Sequence, residues 1–137
     1  MDKLDFINYR ALSKEVRQLR EQLAAMESAL YSPKGQRFTS TPHASSDPKN
    51  TMDAAVARHM KLVELYHEKL AEKETKLHAI EQAIDSLEDA AQRVVMRERY
   101  VAGQSWAQVC KLMASEGYSE RGVYRLHGYA LLNLKEV

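Results

Sequence analysis

The chain has 137 residues, of which 28% are charged and 7% aromatic, with only five glycines and three prolines, a balance short of turn formers that favours an all-α protein. A formal net charge of +1 excludes a strongly basic nucleic-acid-coating tail, and the single Cys110 excludes an internal disulfide. No apolar run is long enough to cross a bilayer, and the first residues mix both charge signs without a secretory hydrophobic stretch, so the chain reads as cytosolic.

Residues 1–31 are expected to form one long helix. Leu12, Val16, Leu19, Leu23, Met26 and Leu30 recur at alternating steps of four and three, a heptad seam flanked by Arg17, Arg20, Glu21 and Glu27. Residues 32–50 break the pattern. Pro33, Gly35, Pro42 and Pro48 stand among Ser, Thr, Asn and Asp, which predicts a flexible polar connector. A second heptad helix is expected over 51–85, with Thr51 as its N-cap and Asp53 in its first turn. Its stripe is Met52, Val56, His59, Val63, Tyr66, Leu70, Lys73, Leu77, Ile80 and Ile84, and the spacing runs on through Leu87, Ala91 and Val94. Glu72 and Lys76 are placed to pair on the helix surface.

Isolated helices are marginal, and apolar side chains stabilise only when covered. An antiparallel hairpin closed by the connector covers both seams. A parallel pairing or an intermolecular one covers them equally well, and a homo-oligomer through the heptad helices is expected.

Residues 86–137 change character and suggest three helices. The first spans 86–101, with Leu87, Ala91, Val94, Val95 and Tyr100 on its apolar face, and stops at Ala102-Gly103. The second opens at Ser105, buries Trp106, Val109, Cys110, Leu112 and Met113, and ends near Gly117. The third opens at Ser119 and carries Val123, Leu126, Ala130 and Leu134 along one stripe. Two short helices joined by a Gly-containing turn, the second capped by Ser, have the helix-turn-helix layout.

That layout puts the start of the last helix in the major groove of duplex DNA. Its candidate contacts are Ser119, Glu120, Arg121, Tyr124, Arg125 and Gly128. Arg can bond a guanine edge in bidentate fashion, and Glu can accept from a cytosine amino group. Tyr124 can stack on a sugar or bond a phosphate, and Gly128 permits close approach of backbone. Ser105, Trp106 and Gln108 open the preceding helix, where amides and the helix dipole suit a phosphate.

The run RVVMRERYVAGQSWAQVC, followed by YSERGVYRLHGYALLNL, resembles the promoter-reading region four of bacterial sigma factors. It is more similar still to small phage and prophage proteins related to late-gene transcription regulators of the ArpU and RinA type. Tyr118-Ser119, the stretch from Val123 to Gly128, and Ala130-Leu131 carry the most specific part of the match, supported by Arg99-Tyr100 and Ser105-Trp106. The resemblance covers 87–135. It implies a transcription regulator with DNA contact on Arg121, Tyr124 and Arg125 and core packing on Val123, Leu126 and Ala130. RNA polymerase is a further expected partner.

No catalytic set can be placed. Cys110 sits at a tight crossing and reads as a packed thiol. His67-Glu68 lacks the second histidine of a zinc-protease motif, since Ala71 occupies its place. The five histidines (43, 59, 67, 78, 127) show no ligand spacing, and His59 and Lys73 read as partner-specifying breaks in the seam. The expectation is a protein that is not an enzyme, without metal or cofactor. Its leading role is DNA-binding regulation. The alternative is a phage assembly or DNA-packaging interaction protein whose coiled coil is its main surface.

Overall fold

The two longest stretches free of Gly and Pro give the two longest helices. The computed structural model describes residues 1–31 and 52–135. The expected connector at 32–50 and the Thr51 cap lie outside the described residues. Among those described, all regular structure is helical: α1 (Lys3–Tyr31), α2 (Met52–Asp85), α3 (Ala90–Met96) widening into a π-helical turn (Arg97–Val101), α4 (Trp106–Ala114) and α5 (Glu120–Lys135). The all-α class expected from the sequence is therefore found. No described helix is long and apolar enough to cross a membrane.

Packing divides the chain into two units, Met1–Ser13 with Glu72–Val137, and Lys14–Ala71. In the second unit Val16, Leu19, Leu23 and Leu30 are buried and Met26 is half-buried, as the heptad spacing predicts. Glu15 meets Lys69 at 3.9 Å, Arg20 Nε donates to the Tyr66 hydroxyl at 3.3 Å, and Glu27 meets His59 at 3.3 Å. Partner numbers fall on α2 as they rise on α1, so the two helices of this unit run antiparallel within one chain. His59 is a half-buried polar break facing a carboxylate.

The first unit holds two clusters. One gathers Phe6, Tyr9, Ile80, Ala83, Ile84, Leu87, Met96, Tyr100, Ala130 and Leu134. The other joins Val95, Val109, Met113 and Val123, with Ala91, Trp106, Cys110 and Leu126 partly buried against them. The expected pair Glu72–Lys76 forms on the surface at 3.2 Å.

Several details depart from the sequence expectation, and Met52, at the head of the expected α2 stripe, is 41% exposed. The stripe does not continue unbroken past Ile84, and the next helix begins at Ala90 rather than at residue 86. Asp89 caps it by accepting from the Ala91 amide at 3.1 Å, and Arg93 folds back to the carbonyls of Leu87 and Glu88 at 2.6 and 3.0 Å. The break resets the helical phase, so α3 buries Gln92, Val95 and Met96 and leaves Val94 38% exposed. Leu112, expected in the core, is 43% exposed, because nine residues of α4 bury only Val109 and Met113 fully. Val94 and Leu112 instead line an open groove with Ala90, Ala91, Met113, Glu116 and Tyr118.

Candidate nucleic-acid interface

Three local devices set the geometry of the last three helices. Gly103, at φ 76°, ends the π-helical turn, while the Ala102 amide bonds the Arg97 carbonyl at 2.9 Å and the Gln104 amide bonds that of Glu98 at 3.0 Å. Ser105 and Gln108 then form a capping box: the Gln108 amide donates to Ser105 Oγ at 3.2 Å and the Ser105 amide donates to Gln108 Oε1 at 3.0 Å. Gly117, at φ 90°, closes α4, and the Tyr118 amide reaches back to the Met113 carbonyl at 3.1 Å. Ser119 opens α5 as expected, its Oγ accepting from the Gly122 amide at 3.1 Å. A Cβ on Gly122 would stand 3.3 Å from that same Oγ, so a larger residue there would press on the cap.

α5 is seated by Val123, Ala130 and Leu134, all fully buried, and by half-buried Leu126. Asn133 Nδ2 also donates to Gln92 Oε1 of α3 at 3.2 Å. Its opposite face carries Glu120, Arg121, Tyr124 and Arg125, all exposed, with Gly128 half-buried beyond them. Neither Arg121 nor Arg125 bonds or pairs with another described side chain, so both guanidinium groups are free to meet a ligand. Nothing lies within 4 Å of a Cβ built on Gly128. Packing among the described residues therefore does not require a glycine there.

The residues that open α4 are used differently from one another. The Ser105 hydroxyl, the Gln108 carbonyl oxygen and the Gln108 backbone amide are occupied by the capping box, which leaves the Trp106 and Ala107 amides as the first-turn donors outside it. Trp106 is half-buried under its neighbours. Its ring lies 5.0 Å from Tyr124 and 4.7 Å, edge-on, from His127, and the Arg99 guanidinium sits 4.7 Å over it. Trp106 thus holds Tyr124 in place from below, while Arg99 makes a cation–π contact with the same ring.

Arg99 and His127 are members of this site that spacing alone does not reveal. Arg99 Nη1 donates to the Gln104 carbonyl at 3.1 Å. His127 is buried, and its Nε2 shares a 2.7 Å hydrogen bond with the Tyr100 hydroxyl. Burial, aided by the positive charges of Lys3 and Arg99, pushes the His127 imidazole down to about 4, so it is neutral at pH 7. Burial likewise pushes the Tyr100 phenol up. Desolvation raises the Cys110 thiol, helped by Glu120, so this packed cysteine is a poor nucleophile. Among the described residues no group of His, Cys, Asp and Glu is arranged to hold a metal ion.

No protein-family profile, curated protein or solved structure matches the chain.

Proposed function

We propose that the chain is a DNA-binding transcription regulator of the phage or prophage type, with the exposed face of α5 entering the major groove. The supporting observation is the pair of exposed, unpaired guanidinium groups of Arg121 and Arg125 flanking Tyr124, on a helix whose other side is anchored by Val123, Ala130 and Leu134. Glu120 and the α4 first turn complete the surface. The role is binding, without catalysis. RNA polymerase remains the expected protein partner. Because the α1 seam is covered within one chain, a homo-oligomer would use other faces of the heptad helices.

The test is a mobility-shift assay on DNA flanking the gene, at low and moderate salt, with Arg121→Ala and Arg125→Ala beside the parent. Each substitution is expected to reduce discrimination between sites by about 1–3 kcal/mol per lost bidentate contact. Unchanged specific binding by both variants contradicts the assigned face.

A second reading has an observation of its own. The groove holding Val94, Leu112 and Tyr118 exposes apolar surface that the described residues leave uncovered, as an assembly or DNA-packaging interaction protein would. A stable complex that forms through that groove, together with no retarded DNA species, selects this reading.

A further inference from the structure

Lys3, Phe6, Arg10 and Ser13 recur at steps of three and four, so they share one face of α1. Phe6 is fully buried with its ring 5.2 Å from that of Tyr100. The contact carries Lys3 and Arg10, one turn to either side, toward the π-helical turn that bears Arg99 and Tyr100. Three buried side-chain atoms of the described residues have no hydrogen-bond partner: Arg10 Nε, Ser13 Oγ and Arg99 Nε. Two belong to this face of α1 and the third to the turn it meets.

The electrostatics agree with that placement. Burial holds the Arg99 guanidinium below its ordinary value, and the charge of Arg10 pushes it further down. Arg10 and Arg99 both act on the Tyr100 phenol, and Lys3 and Arg99 on His127. Lys3, Arg10 and Arg99 form no ion pair with any described carboxylate. Three cations thus act on the Tyr100–His127 pair, whose two side chains share a 2.7 Å hydrogen bond. A buried polar atom without a partner, among like charges, is the condition an anion relieves.

We propose that Lys3, Arg10 and Arg99 form an oxyanion site that takes a phosphate group, at the edge of the surface carrying Tyr124. Guanidinium groups suit that ligand because their N–H donors match phosphate oxygens in pairs. Arg99 lies over Trp106, which touches Tyr124, so the site continues the α5 face onto α1. The source of the phosphate, a DNA backbone, rests on the function proposed above. The site itself does not.

The experiment uses the full chain. Inorganic phosphate is titrated at constant ionic strength while the emission of Trp106, the one tryptophan, is followed. A mixed-sequence duplex is titrated in parallel across a range of salt. Arg10→Gln and the exposed Lys3→Gln are compared with the parent, with Arg10→Lys as the charge-retaining control and far-UV circular dichroism as the folding check. The expected result is a saturable response to phosphate that weakens at least tenfold in Arg10→Gln and returns in Arg10→Lys. The salt slope of duplex binding should also fall by about one in Arg10→Gln.

A slope change without a phosphate response assigns the site to the duplex and supports it. A phosphate response without duplex binding supports the site while overturning the DNA-binding function. No response to phosphate, together with an unchanged slope or no duplex binding, overturns the proposal.

Discussion

His127 connects the core to the candidate interface: its Nε2 meets Tyr100, and its ring meets the edge of Trp106 beneath Tyr124. With its folded pKa depressed to about 4 from a usual 6.5, the native ring stays neutral where the unfolded one takes up a proton. Its contribution to stability is therefore complete above pH 6.5 and is lost as pH falls toward 4. NMR titration should show the His127 ring unchanged until pH approaches 4, and urea midpoints should fall through that window. A ring midpoint near 6.5 contradicts the buried arrangement. None of this was legible in the sequence, where His127 was one of five scattered histidines. Arg99, likewise, became part of the site only through a contact with Trp106 across the Gly103 turn.

At the scale of elements, the caps were the most legible feature. Ser105, Ser119, Gly103 and Gly117 each perform the local task that their type and position predict, because capping depends on residues a few positions apart. The break between Asp85 and Ala90 and the π-helical turn were not legible. The four-three spacing crosses the break without Gly or Pro, and the stop is made by local side-chain bonds, Asp89 accepting from the Ala91 amide and Arg93 donating to the Leu87 carbonyl. Gly128 gives a test on one helix. A Cβ there meets nothing within 4 Å, so Gly128→Ala should raise stability by about 0.5–1 kcal/mol. Weaker DNA binding by the same variant would mark close approach of the duplex backbone at that position. A loss of stability in thermal denaturation would contradict the open environment.

The α1–α2 hairpin of Lys14–Ala71 is held by its seam rather than by its ion pairs. Leu23→Ala should cost about 2–5 kcal/mol, whereas Glu15→Gln, which removes the exposed 3.9 Å pair with Lys69, should change stability by less than about 1 kcal/mol. Chemical denaturation of the two variants checks the contrast. The heptad spacing identified these seam residues because both partners are long and regular. It could not choose among antiparallel, parallel and intermolecular pairing; the cross-helix contacts within this chain are antiparallel.

For the whole molecule, the fold class followed from few turn formers and sustained helical spacing, both properties of local sequence. The assembly of the first unit did not. Phe6 and Tyr9 lie in the same core as Tyr100, Ala130 and Leu134, a grouping across most of the chain that no local pattern encodes. A formal charge of +1 also limits what the molecule does at long range: under the proposed function, affinity for DNA would come from placed side chains rather than from a general positive field. The most direct measurement is therefore amide and side-chain NMR mapping of the labelled full chain against duplex DNA. The account predicts perturbations centred on Arg121, Tyr124 and Arg125, with the α4 first turn beside them. Perturbations confined to the groove of Val94, Leu112 and Tyr118, or none at all, would contradict it.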